Sequence, residues 1–318
     1  MAKRKVRVML AEPRSFCAGV VRAIEIVERA LDVYGPPVYV RNKIVHNEYV
    51  VADLSAKGVR FVSRVEEIPD GAITIFSAHG VSRKVEDGAK GQGLQVIDAT
   101  CPLVKRVHNE AKRYSRKGYE IILIGHPGHP EVEGTLGRVD GPIHLVSDLE
   151  DVRALVPKDP EKLAYVTQTT LGVDDTRGVI DELKRRFPHI RGPDVKDICY
   201  ATQNRQEGVR RLAEFADVIL VLGASYSSNS TRLREVGESS GAPSYLIPDA
   251  DALDPTWLDG ATTIGITAGA SAPERLVEDL IERLGELFDT QVVRPEEFNE
   301  NVVFNLPREL TASDRLSA

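Results

Sequence analysis

Residues 101–129 read CPLVKRVHNEAKRYSRKGYEIILIGHPGH. In order, these are a thiol, an amphipathic stretch with apolar residues at helical spacing, a short β-branched run and a polar loop. The same order recurs at 17–46, CAGVVRAIEIVERALDVYGPPVYVRNKIVH, and at 199–227, CYATQNRQEGVRRLAEFADVILVLGASYS. Helices alternating with strands predict mainly parallel sheets covered by helices. The chain has three cysteines, and each opens one copy. The period is far longer than that of a solenoid, so the pattern predicts three small fused α/β domains.

The register extends beyond these stretches. His46 follows Cys17 by 29 residues, His129 follows Cys101 by 28, and Ser227 follows Cys199 by 28. A second strand and loop come next in each copy, AITIFSAHG (72–80), KLAYVTQTT (162–170) and TTIGITAGAS (262–271), and they bring His79, Thr169 and Ser271. All nine positions are thiol, imidazole or hydroxyl. They fall at helix starts or beyond the carboxyl ends of strands, where open α/β sheets hold ligands. A lone cysteine is ordinarily a small buried hydrophobe; three that recur in register with histidines and hydroxyls read as ligands or redox groups.

The apolar runs VRVML, VYV, ITIF, QVID, IILI, LAYV, VILVL and TIGIT read as strands, and 18–33, 103–116, 174–187, 204–216 and 273–287 as helices. Clusters of Gly, Pro and Asp before the second and third cysteines place boundaries that give domains 1–99, 100–196 and 197–292. A polar tail, 293–318, is expected to pack back on the body.

With 318 residues, 42% apolar and 28% charged, the chain has the composition of a globular protein. A net charge of −7 argues against a nucleic-acid partner. No apolar run approaches the roughly 20 residues of a membrane helix. The N-terminal segment MAKRKVRVMLAEPRSF is broken by charge and does not read as a secretory signal. The expectation is a cytoplasmic protein with reduced thiols.

A helix N-terminus favours thiolate, the form that binds metal. The absence of any CxxC pair disfavours a zinc ribbon or a dithiol. Three thiolates suit a [4Fe–4S] cluster with one iron lacking a protein ligand, or a Cys₃ zinc site. Ser227, Ser228 and Asn229 in SYSSNS sit ahead of a helix and read as an anion site; Ser271 in TAGAS and His79 in SAHG make the same offer. Such neutral or weakly basic donors can wrap a diphosphate without a lysine cluster, and no P-loop is present. Glu131, two residues after His129, reads as a general acid if it lies in a dry pocket, and Glu133 as a solvated carboxylate. Thr169 reads as a proton relay or a strand-end cap. His108 and His189 read as surface residues.

Together, FCAGVVRAIEIVE, VRNKIVHNEYVV, FSAHGVS, DATCPLVKRVH, IGHPGHPEVEGT, TQTTLGVDDT, DICYATQNRQE, SSNSTRL and TAGASAP closely resemble the 4-hydroxy-3-methylbut-2-enyl diphosphate reductase family across residues 6–310. The resemblance implies a trefoil of three α/β domains around one central [4Fe–4S] cluster per chain, with Cys17, Cys101 and Cys199 as its ligands. It also implies that His46, His79, His129, Ser227, Ser228, Asn229 and Ser271 hold the diphosphate, that Glu131 donates a proton and that Thr169 contacts the substrate near its hydroxyl. The implied reaction is reduction to isopentenyl and dimethylallyl diphosphate, with electrons from a ferredoxin or flavodoxin. Two other readings stand beside it: a zinc-dependent hydrolase and a non-catalytic diphosphate or cluster sensor.

Overall fold

The β-branched runs form strands that are apolar on both faces, as a parallel sheet between helix layers requires. VILVL at Val218–Leu222 and EIILI at Glu120–Ile124 are buried at every residue. The computed structural model describes residues 3–295, 298 and 300–311. Among them the strands are β1 (Lys5–Leu10), β2 (Val38–Arg41), β3 (Val59–Val62), β4 (Ile73–Phe76), β5 (Gln95–Asp98), β6 (Glu120–Ile124), β7 (Ile143–Val146), β8 (Leu163–Thr167), β9 (Val218–Leu222), β10 (Ser244–Ile247), β11 (Thr263–Ala268) and β12 (Asp289–Val293). They make three sheets, ordered β10-β9-β11-β1-β12, β3-β2-β4-β5 and β7-β6-β8. Every described pair is parallel.

The three sheets follow one plan. The first strand after each cysteine's helix (β2, β6 or β9) lies between the two strands that follow it in sequence. A fourth position comes beyond β4, β8 or β11. β5 fills it in one sheet and β1 in another. Beside β8 the place is taken by extended chain at Arg191, whose N–H donates to Leu163 O at 3.0 Å and whose carbonyl accepts from Tyr165 N–H at 2.8 Å. The chain leaving this fourth position runs to a cysteine each time: from β1 to Cys17, from β5 to Cys101 and from Arg191 to Cys199. The span 1–99 therefore holds strands of two sheets, because β1 pairs with β11 and β12.

The chain forms two compact units. One takes Met1–Cys17, His46–Val50 and Tyr200–Val302; the other takes Ala18–Val45, Val51–Cys199 and Val303–Ala318. In the first unit, alternate residues of β9 face opposite layers. Val218, Leu220 and Leu222 pack with Leu276, Val277, Leu280 and Leu284 of the helix Glu274–Leu287. Ile219 and Val221 pack with Val209 and Leu212 of the helix Tyr200–Ala213 and Leu233 of the helix Ser228–Ser239. In the second unit, β6 does the same. Ile122 and Ile124 meet Val179, Ile180 and Leu183 of the helix Val173–Arg186, while Ile121 and Leu123 meet Val107 and Ala111 of the helix Pro102–Arg116. Each such buried Val, Leu or Ile side chain stabilises the fold by about 1.5–3 kcal/mol. Gly223 and Gly269 let the ends of β9 and β11 close on Ser230, because a Cβ on either would overlap Ser230 Oγ.

Candidate active site

Each cysteine is the residue immediately before a helix: Ala18–Tyr34, Pro102–Arg116 and Tyr200–Ala213. None of the three thiols is in a disulfide, and all are half-buried. Each cysteine N–H donates to a loop that follows one of the inner strands. Cys17 bonds Ala270 O at 3.1 Å, Cys101 bonds Ala78 O at 2.9 Å, and Cys199 bonds Thr169 O at 3.1 Å. Those carbonyls belong to TAGAS, SAHG and TQTT. Each cysteine is thus held by the second loop of the preceding copy, in a closed cycle.

In the second unit, His79, His129, Glu131 and Thr169 come together. His129 caps the helix Pro130–Leu136, its Nδ1 accepting from Glu131 N–H at 3.2 Å, which leaves Nε2 to carry the proton of a neutral ring. The His79 ring lies edge-on to it, with centroids 5.8 Å apart. Glu131 is 2% exposed. Its Oε1 accepts from Thr169 N–H at 2.7 Å and its Oε2 from Thr169 Oγ1 at 2.9 Å. Burial raises its pKa from the ordinary 4.5 to about 7, against the lowering by the two Thr169 bonds and with a further push from Asp197. At neutral pH this carboxyl is therefore poised between acid and base. Glu133, one helical step on, is exposed.

In the first unit, hydrogen bonds tie Ser271 to His46 and Asn229 to the residue before Ser271. Ser271 Oγ donates to His46 O at 2.9 Å, and Asn229 Oδ1 accepts from Ala270 N–H at 2.8 Å. Ser227 caps the helix Ser228–Ser239, accepting from Ser230 N–H and Ser230 Oγ at 3.4 and 3.2 Å. The His46 ring stands edge-on to Tyr226. Asn229 is 4% exposed, and its Nδ2 is buried without a partner. A buried amide donor left unpaired costs about 1–3 kcal/mol, so this one is set for an acceptor from outside the chain. Ser228, the first residue of the helix, is half-buried.

The donor set fits an iron–sulfur cluster. Among the described residues, no three His, Cys, Asp or Glu side chains gather closely enough to hold a single ion. Three cysteine sulfurs, none of them in a disulfide, are the donor chemistry such a cluster takes.

The LytB protein family profile matches residues 8–285. The chain belongs to the LytB family, the 4-hydroxy-3-methylbut-2-enyl diphosphate reductases. LytB enzymes are oxidoreductases. The reductase 1 of Rhodopseudomonas palustris is 58% identical over 304 residues, covering 96% of this chain and 99% of its own. That of Pseudomonas aeruginosa is 55% identical over 309 residues, 96% of this chain and 98% of its own. The solved reductase of Plasmodium falciparum covers 100% of this chain and 99% of its own, with a TM-score of 0.91 at 36% identity.

His108 corrects a reading from sequence. It is 3% exposed, and burial, with Arg138 as the next cause, pushes its pKa down to about 3. Its position is legible in retrospect: His108 continues the buried stripe of Val104, Val107 and Ala111. Gly80, at φ +77°, leaves room for the ring; a Cβ there would stand 2.6 Å from His108 Cε1. His189 is exposed, as expected. Two buried groups went unread. Gln168 accepts from His126 N–H at 3.0 Å and donates to Thr170 Oγ1 at 2.8 Å, tying the His126 loop to the end of β8. Asp197 is 1% exposed and accepts from Thr167 N–H at 3.2 Å. In a boundary segment rich in Gly, Pro and Asp, it reads only as a turn residue. Among the described residues, no helix is long and apolar enough to cross a membrane.

Proposed function

We propose that this chain removes the hydroxyl group of (E)-4-hydroxy-3-methylbut-2-enyl diphosphate, giving isopentenyl and dimethylallyl diphosphate. A C–O bond breaks and a C–H bond forms. Two electrons and two protons are consumed, and the oxygen leaves as water. Cys17, Cys101 and Cys199 would hold a [4Fe–4S] cluster, one per chain, which when bound would supply one-electron transfer and a Lewis-acid iron.

The protein's own residues do the rest. His46, His79, His129, Ser227, Ser228, Asn229 and Ser271 bind the diphosphate; the unpaired Nδ2 of Asn229 gains its acceptor there. Holding the charged end fixes the reacting carbon, which lowers the entropy cost of the step. Glu131 carries the proton for the departing oxygen, and Thr169 Oγ1, bonded to it, passes that proton or orients the hydroxyl. The observation that carries this reading is the buried Glu131–Thr169 pair. It combines an acid with a pKa of about 7 and a loop whose carbonyl binds the Cys199 amide. An electron carrier of the ferredoxin or flavodoxin type supplies the electrons, and the chain works in the cytoplasm.

The test is turnover with the hydroxylated diphosphate under anaerobic conditions, followed by product analysis. Formation of both isoprenoid diphosphates with consumption of two electrons per substrate is the expected result. Electron consumption without loss of the hydroxyl group would sink the reading.

A further inference from the structure

Each of the three helices that start after a cysteine carries an arginine at nearly the same distance from it: Arg22, Arg106 and Arg205. Arg205 donates to Ala201 O at 3.0 Å on its own helix, and each of the three also reaches the loop ahead of another cysteine. Arg22, on the helix after Cys17, donates through Nη1 to Ala99 O and Thr100 O, both at 3.3 Å, just ahead of Cys101. Arg106, on the helix after Cys101, donates to Lys196 O and stands 3.8 Å from Asp197 Oδ1, just ahead of Cys199. Arg205, on the helix after Cys199, donates to Ser15 O at 3.1 and 2.8 Å and to Arg14 O at 3.4 Å, just ahead of Cys17. Taken in order, the three contacts close a ring of dependence.

Two of these guanidinium groups are buried, Arg22 at 7% and Arg205 at 1% exposure. Burying a charge is costly unless it is satisfied, and the C-terminal segment helps to satisfy both. Arg22 Nε donates to Asn305 O at 2.8 Å, and Arg205 Nη1 meets Glu300 Oε1 at 3.2 Å. Ser15, the residue Arg205 holds, has φ +58°, a conformation that a non-glycine residue keeps only when its surroundings impose it. The guanidinium fork suits the task because it bonds several acceptors in fixed directions, which an ammonium does not.

We propose that Arg22, Arg106 and Arg205 are positioning residues, each setting the backbone ahead of the next cysteine in the cycle. Every thiol-bearing loop is then held from two sides: its cysteine N–H by an inner-strand loop, and the preceding carbonyls by an arginine from the previous cysteine's helix. The bracing stands on these contacts; its use, presenting three thiols to a cluster, rests on the function proposed above.

Hydrogen exchange read on peptides that end at each cysteine tests the cycle in the full chain. Arg22→Gln should speed exchange of the amides at 99–101 roughly tenfold, the size expected for losing charge-assisted bonds. Arg106→Gln should do so at 196–199 and Arg205→Gln at 15–17, with the other two loops changing less than about twofold in each case. Arg→Lys variants keep the charge but lose the fork, and should loosen the same loop by a smaller factor. If a Gln variant does not fold, its Lys counterpart decides. Loosening of a variant's own cysteine loop, equal loosening of all three loops or no change would overturn the proposal. The cluster reading fails separately: the predicted exchange pattern in a chain that binds zinc without sulfide would keep the bracing and remove the cluster.

Discussion

The loops after β6 and β9 occupy the same place on their sheets and carry opposite chemistry. His129 and Ser227 each lie 28 residues after a cysteine, and each caps a helix. Two residues on come Glu131 and Asn229, both buried, and each accepts a backbone N–H from the loop beyond the neighbouring inner strand, at 2.7 and 2.8 Å. The scaffold and the hydrogen bond are alike, yet one side chain is an acid and the other a neutral amide. Burial gives the acid a pKa near neutrality. It gives the amide an unsatisfied donor. One framework position thus presents a buried acid in one unit and an unpaired buried amide donor in the other.

The sharpest way to break this pairing is at Glu131. Glu131→Gln keeps the shape and can still accept from Thr169 N–H, so substrate affinity should hold while turnover falls by about 10² or more, the scale for a positioned acid. Steady-state kinetics with an intact cluster would show it, and near-normal kcat would remove Glu131 from the proton path. The reciprocal change, Asn229→Asp, puts a negative charge where the account places a diphosphate. Affinity should drop roughly 10²-fold, since like charges brought together cost several kcal/mol. Calorimetry with inorganic diphosphate reads this directly, and unchanged affinity would make Asn229 only a structural cap.

The pH dependence separates the two residues further. The acid must be protonated, so kcat should fall about tenfold per unit above pH 7. Glu131→Gln should flatten that limb, and Asn229→Ala should leave its position unchanged. The smallest effect is on stability. A carboxyl whose folded pKa is raised favours the fold fully below its unfolded pKa of 4.5, and this contribution is lost as pH rises from there to about 7. Glu131→Gln should therefore gain up to roughly 3 kcal/mol at pH 8 and little near pH 4.5, as measured by denaturant unfolding.

Every inner strand was legible in the sequence, and of the end strands only β5 and β8 were. All eight runs read as strands lie in β1, β2, β4, β5, β6, β8, β9 or β11. The four that escaped, β3, β7, β10 and β12, each lie at a sheet edge, where one flank is open and the apolar signal is diluted. DTQVV of β12 has no fully buried residue. The helix start at Tyr200, four residues before the expected 204, was hidden because its first turn, YATQ, is largely polar. Nine of the proposed site residues stand out in the sequence because their spacing repeats. The handover of each cysteine to the preceding sheet was not, since the pairing of β1 with β11 joins residues some 250 apart and leaves no local mark. His108 was misread because polar neighbours mask its place in an apolar stripe.

The proposed function requires that the three thiols, one ahead of each of three helices, hold one cluster with an iron open to the substrate hydroxyl. Protein purified without oxygen should contain iron and acid-labile sulfide in the one-to-one ratio of a [4Fe–4S] cluster, and its Mössbauer spectrum should change at a single iron when the hydroxylated diphosphate is added. Zinc without sulfide in protein never exposed to air, or a spectrum indifferent to the substrate, would contradict the account.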